Sequence, residues 1–346
     1  MRAYSYIMAL VVSILALIGL WMGGWFTLIF PLVSFVLVPA VELFIDVGDI
    51  DNREQNPQHT VFHDLVLLTS CALTGSGWVL LIHQLSQPGL GTLDVCGMIG
   101  CAGILFGGLG INVAHELGHR REKLYQNIAK AMLFLPLYMH FFIEHNRGHH
   151  RRLATPEDPA TARRGEMVYA FLIRSVVFGW LSAWSIEAHR LRGRSPVAHL
   201  IQNQMLHFQL LQLCAVTAVG AVFGLTVAVG WIASAALGVL LLELVNYVEH
   251  YGLVREKLPN GKYERVSPRH SWTADHPISR ALLFEVPRHA DHHAYSARPF
   301  GALRHFSDAH QLPTGYSGMV LLALVPPLFF RVMDRQLETE QQRLAV

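Results

Sequence analysis

Charge is scarce in this sequence. Asp, Glu, Lys and Arg make up 15% of its 346 residues, against about 25% in ordinary soluble domains. With 52% hydrophobic residues and a mean hydropathy of +0.33, that shortage excludes a disordered, fibrous or collagen-like chain and points to a membrane protein. Neither sign of charge prevails: the formal net charge is +2, so no global basic field suggests a nucleic-acid partner. Cysteine is scarce as well. Cys71, Cys96, Cys101 and Cys214 form no CxxC pair and lie in apolar stretches, which reads as buried thiols and argues against a disulfide or zinc framework. The residue in excess is histidine, with 20 copies in a chain otherwise poor in polar groups.

A span takes about 20 mostly apolar residues. The run from Tyr6 to Ile45, broken only by Gly23-Gly24 and Glu42, fits two spans, 7–21 and 25–45. A signal peptide fits poorly, because the first residues carry one charge, Arg2, and the second apolar stretch follows at once. Further spans are expected at 65–82, 95–113, 208–229 and 231–248, the last two separated by Gly230. The runs Met132–Phe142, Val168–Trp184 and Met319–Phe330 are short or interrupted and read as buried, re-entrant or interfacial segments. The expected fold is all-α: one integral-membrane domain over 1–346 with about six transmembrane helices and a cytoplasmic helical region formed by 115–205 and 249–346.

Lys and Arg are absent from the links 22–24, 84–94 and 227–230, whereas 115–205 carries 13 and 249–346 carries 12; Arg2 and Arg53 complete the 27. This positive-inside sorting places both termini and both polar regions in the cytoplasm.

The histidines cluster on that same side. His115 and His119 follow the fourth span and, four apart on a helix, lie on one face. His145 and His149 repeat that spacing. His150 would point about 140° away from His145 on an ideal helix, toward another ligand set or past the helix end. His250 ends the last span, and His289, His292 and His293 form an i, i+3, i+4 set. Nine imidazoles are too many for one metal and fit two metals with open positions, and an all-nitrogen donor set suits iron, copper, zinc or nickel. Glu116, Glu144, Glu249 and Asp291 each adjoin a candidate ligand. They are expected either to accept the outer imidazole N–H or simply to solvate helix ends. His59, His63, His83, His140, His189, His199, His207, His270, His276, His305 and His310 stand alone and read as core or surface residues. Two rival readings fit less. His115-Glu116-x-x-His119 satisfies the HExxH signature of zinc proteases, with Glu116 as base, but leaves the other clusters unexplained. A membrane metal transporter would need ionisable residues within the spans, which hold almost none outside their ends.

The stretches His115–His119, Glu144–His150, Asn246–Gly252 (NYVEHYG) and Arg288–Tyr295 (RHADHHAY) together resemble the membrane alkane 1-monooxygenases, within the integral-membrane histidine-box superfamily of desaturases and hydroxylases. So do Ala154–Arg163 (ATPEDPATAR) and Gln311–Met319 (QLPTGYSGM). The likeness covers roughly Asn112 to Asp334, and NYVEHYG and RHADHHAY are far more specific to the alkane and aromatic-side-chain hydroxylases than the short HxxxH boxes, which the whole superfamily shares. Arg120 stands where that family usually has Lys, and the CPxCG repeats of a fused rubredoxin domain are not present in this sequence.

The resemblance implies two non-haem irons held by His115, His119, His145, His149, His150, His250, His289, His292 and His293. It implies O2 as co-substrate, with electrons from a separate rubredoxin or ferredoxin and its reductase. The reaction would be terminal hydroxylation of medium- or long-chain n-alkanes in a bacterial inner membrane: O2 + RCH3 + two electrons + two protons give RCH2OH + H2O. Aryl methyl groups, as in xylene monooxygenase, or fatty acyl chains are the alternative substrates. An unactivated C–H bond offers neither acidic proton nor leaving group, so a metal must supply the oxidising power while the protein supplies ligands and position. Spans one to four would line the substrate channel, with Leu32 to Val38 setting chain length. Arg120, Arg121, Lys123, Arg151 and Arg152 would dock an acidic electron carrier or merely follow the positive-inside rule. The glycines Gly107, Gly108 and Gly110 would allow close helix packing.

Overall fold

The computed structural model describes residues 3–45 and 58–345; Arg2 and Arg53 lie outside them. Helix α1 (Ala3–Met22) turns into α2 (Gly24–Glu42) through Gly23 and Gly24 at φ +68° and +54°, a left-handed reversal that a side chain would strain. Asp94 Oδ1 accepts the Gly24 N–H at 2.7 Å and clamps this hairpin to the start of the helix over 92–118. α3 (Val61–Leu85) and α4 (Thr92–Gly118) follow, then α5 (Lys123–Phe134) and a broken helix α6 over 141–152. Next come α7 (Val168–Arg190), α8 (Pro196–Gln202), α9 (Gln204–Phe223) and α10 (Leu225–His250). The last part holds α11 (Pro277–Leu282), α12 (His289–Ala294), α13 (Tyr316–Ala323) and α14 (Pro326–Ala345). A two-residue parallel pair, Trp272–Thr273 with His310–Gln311, ties the loops around α12 together.

Among the described residues, seven helices are long and apolar enough to cross a membrane: α1, α2, α3, α4, α7, α9 and α10. Their outward residues are apolar, as at Trp25, Leu32, Leu213 and Leu225, which suits lipid contact. The protein is therefore an integral membrane protein. The histidines settle which helix is the odd one. The rings of His149 and His250 stand 4.8 Å apart, so the chain must cross an even number of times between them. α9 and α10 form an antiparallel pair about Gly224, and α7 is the least apolar of the three. Arg174, inside α7, is held by Glu166 at 2.7 Å. α7 is accordingly the helix that this parity sets apart, and it runs longer than the stretch Val168–Trp184 expected as a buried, re-entrant or interfacial segment.

The crossing of α4 and α10 is tight. A Cβ on Gly107 would lie 2.5 Å from the Gly238 carbonyl oxygen, so glycine at 107 is what lets the two backbones meet. Trp231 of α10 packs against Trp78 of α3 at 5.3 Å and donates to the Leu135 carbonyl at 2.7 Å. One expectation needs correction: Cys71 and Cys101 are buried, but Cys96 and Cys214 are exposed on the outer faces of their helices, where apolar sequence context means lipid rather than core.

Candidate metal centre

The nine histidines converge, in two groups. His115, His119, His145, His150 and His292 form one, and His149, His250, His289 and His293 form the other; within each group the ligand atoms lie within 4.8 Å of one another. α4 brings the first pair, α6 the next three, the end of α10 brings His250, and α12 brings the last three.

The sorting differs from straight-helix reasoning. His150, expected to leave His145, stands with it at 3.0 Å between Nε2 atoms, and His149 turns instead to His293 at 3.2 Å. The cause is local. Over His145–His149 the backbone is π-helical, and the His150 N–H reaches back five residues to the His145 carbonyl. The wider turn carries His150 round to His145 and presents His149 to the other side. α12 splits as well: His289 and His293 meet at 2.8 Å, while His292 faces His150 at 3.2 Å.

Burial pushes the imidazoles down: His119 to about 3, and His145, His150, His289, His292 and His293 well below their ordinary value, with neighbouring imidazoles adding to it. They are held neutral, with lone pairs available. His149 Nδ1 lies 2.9 Å from Asp158 Oδ2, so its proton sits there and its Nε2 lone pair points at the Nε2 of His293. Buried Nε2 of His115 has no hydrogen-bond partner. Facing lone pairs and an orphaned ring nitrogen are what a cation between the rings would satisfy, so the donor set fits a metal in each group.

The carboxylates are disposed differently from expectation. Glu116 holds Arg120 at 3.1 Å and the Phe300 N–H, Glu144 holds Arg152 at 2.6 Å, and Asp291 holds Arg298 and the Arg304 N–H. These three pair with arginine rather than with an imidazole N–H. Glu249 Oε2 stands 3.2 Å from His289 Nε2, on the metal-facing side, while its Oε1 accepts from the Tyr316 hydroxyl at 2.8 Å. The acceptor of an outer imidazole proton is Asp158, which sequence reasoning missed. Burial acts to raise its carboxyl, but hydrogen bonds from His149 and the Thr161 hydroxyl hold it below the usual range. Asp158 and Tyr316 both lay in stretches already singled out, ATPEDPATAR and QLPTGYSGM. Of the five basic residues suggested for docking, Arg120 and Arg152 are tied inward, and Arg121, Lys123 and Arg151 remain exposed.

A cavity of about 990 Å³, part of it open to the outside, reaches His115, His145 and His289, hence both groups. Its walls are apolar and come from α1 (Val12), α2 (Phe30, Ser34, Phe35), α4, α10 and the loops near Tyr316. α3, expected among the walls, contributes no lining residue. π-helical turns at Val33–Leu37 and Leu105–Ile111 lie in these walls, and the turn at His145–His149 adds His145, so the three widened turns among the described residues all border this cavity.

Two clusters of buried histidines beneath a helical bundle, reached through an apolar cavity, define a membrane-embedded metalloprotein of the histidine-box type. The family model for fatty acid desaturase matches residues 95–322. The chain is 37% identical to alkane 1-monooxygenase 2 of Pseudomonas aeruginosa over 87% of this chain and 81% of that one, and 36% identical to alkane 1-monooxygenase 1 of the same organism over 96% and 90%. It is 29% identical to the hydroxylase component of xylene/toluene monooxygenase from Pseudomonas putida, over 100% and 92%. The chain belongs to the fatty acid desaturase family.

Proposed function

We propose that this protein is an alkane 1-monooxygenase, inserting one atom of O2 into the terminal C–H bond of an n-alkane to give a 1-alkanol. The observation that carries the reading is the meeting of both histidine groups at the wall of a single apolar cavity. Such a cavity takes a hydrocarbon from the bilayer, and it ends on the imidazoles of both groups with the Glu249 carboxylate beside them. The relatives named alkane 1-monooxygenase match at higher identity than the xylene/toluene enzyme, which favours alkanes over aryl methyl groups.

In this reading the groups hold two non-haem irons: one by His115, His119, His145, His150 and His292, the other by His149, His250, His289 and His293, with Glu249 near enough to add a fifth donor. When bound, the irons would activate O2 and so supply the oxidising power toward an unactivated C–H bond. The chain's own residues keep the imidazoles neutral by burial, fix the His149 tautomer through Asp158, orient Glu249 through Tyr316 and exclude bulk water from the hydrocarbon. Electrons come from a separate rubredoxin or ferredoxin with its reductase, docking near Arg121, Lys123 and Arg151. In this reading the site faces the cytoplasm of a bacterial inner membrane; the Lys and Arg distribution supports the cytoplasmic side.

The test is metal analysis of the purified protein, then turnover of octane, dodecane and toluene with rubredoxin and reductase. Two irons per chain and 1-alkanol are expected. Benzyl alcohol alone would move the substrate to aryl methyl groups, and zinc without O2 consumption would overturn the oxygenase reading.

A further inference from the structure

The apolar cavity serves the hydrocarbon but not the other participants. On the proposed function, on which this inference rests, each turnover takes up two protons and releases one water, and neither passes readily through an apolar wall. A second, much narrower cavity, with room for about one water molecule, shares Phe141, His145 and Asn246 with the first; the polar side chains of Tyr138, His140, Glu144, His149, Ser175 and Glu243 are set into its otherwise apolar wall.

Glu243 is the unusual member. It is a buried acid inside the membrane-crossing α10, seven residues before His250, or about 10 Å along the helix. Its partners are neutral: Oε1 accepts from the Tyr138 hydroxyl at 2.9 Å, and Oε2 accepts from Ser175 Oγ at 2.5 Å and Asn246 Nδ2 at 3.2 Å. An ionisable group so placed is costly unless it is used. Independently, His140 Nε2 and Glu144 Oε2 line the same cavity, are buried, and have no hydrogen-bond partner, which ordered water would provide. The His140 ring packs on that of Tyr138 at 4.3 Å, beside the phenol that holds Glu243. Arg152, behind Glu144, has a side chain 28% exposed and marks where the cavity nears the surface.

We infer that this second cavity is a water-filled proton path in which Glu243, held by Tyr138, Ser175 and Asn246, relays protons to the metal centre and through which product water leaves. Each proton entering from the outer water converts the Glu243 carboxylate to the acid. It passes on through cavity water and restores the carboxylate, twice per turnover. The two electrons come from the reduced rubredoxin-type protein. Asn246, lining both cavities, divides the wet path from the hydrocarbon.

The experiment compares wild type, Glu243→Gln and Glu243→Asp as purified, iron-loaded enzymes with octane, rubredoxin and reductase in H2O and D2O. For Glu243→Gln the expected result is two irons per chain and an unchanged KM for octane. The kcat should fall at least tenfold, the solvent deuterium isotope effect should exceed that of wild type, and part of the reductant should go to H2O2 (O2 + two electrons + two protons) instead of alkanol. Glu243→Asp should restore part of the rate. Wild-type kcat, isotope effect and coupling in Glu243→Gln would overturn the relay, as would equal loss of iron in both variants, which would mark a structural role. A wild type that takes up iron but makes no alkanol would instead overturn the proposed function.

Discussion

His150 Nε2 stands 3.0 Å from His145 Nε2, while His149, next to it in sequence, faces His293 across the other histidine group. One widened helical turn thus feeds both groups. A regular α-helix would leave His145 and His149 together, and each group would then have a different complement.

This arrangement predicts separable losses. His145→Ala removes a donor from the group of five, and His149→Ala removes one from the group of four. Each variant should retain about one iron instead of two, because removing one imidazole weakens its own site and leaves the other intact. Both should lose activity by about 100-fold or more. Elemental analysis with Mössbauer spectra would show different quadrupole doublets lost in the two variants; loss of the same doublet from both would dissolve the two-group assignment.

Asp158 sets the tautomer of His149 from outside the ring cluster. Asp158→Asn keeps size and packing, and its amide oxygen still accepts from Nδ1, but the negative charge that raises ligand basicity is gone. Iron affinity should drop about 10- to 100-fold. A chelator titration measures it, and an affinity equal to wild type would show that the contact is only structural.

The clustering histidines and the long apolar helices were legible in the sequence, because histidine spacing and hydropathy report directly on helix faces and bilayer exposure. The grouping was not. It depends on a π turn at His145–His149, and an extra residue per turn leaves no compositional mark. The outer carboxylates were missed for a related reason. Residues adjacent in a helix point about 100° apart, so Glu116 and Asp291, chosen as neighbours of ligands, turn to Arg120 and Arg298. Asp158, nine residues from His149, comes back through a turn. The crossing of α4 on α10 was partly legible: three glycines were marked, but only the structure shows that Gly107 makes the contact with Gly238.

That contact gives a stability prediction. In Gly107→Ala the new Cβ has only backbone of Gly238 to push against, at 2.5 Å, and neither helix can yield by a side-chain rotation. A cost of about 1–3 kcal/mol is expected, read as a lower unfolding midpoint in detergent. Gly108→Ala should cost much less, because its nearest neighbour, Leu241 Cδ2, is 3.9 Å away. Equal midpoints for the two variants would refute the close-crossing argument.

Chain-length selectivity should reside where the cavity runs deepest along α2. Glu42 accepts at 2.6 Å from the N–H of Ser279, which lines the same cavity as His289, and Phe30 lies twelve residues earlier, about 18 Å up the helix. The Phe30 ring is buried and lines the cavity, so it closes the end into which the far terminus of a linear substrate extends. Ser34 lines the same wall one turn nearer the metal centre. Phe30→Ala should therefore shift the preferred n-alkane to longer chains, and Ser34→Phe should shift it to shorter ones with iron content unchanged. Competition assays with an equimolar C8–C16 mixture, read as the distribution of 1-alkanols, measure both shifts. Opposite directions in the two variants are required, since one lengthens and the other blocks the same path; parallel shifts would place the far end of the substrate elsewhere.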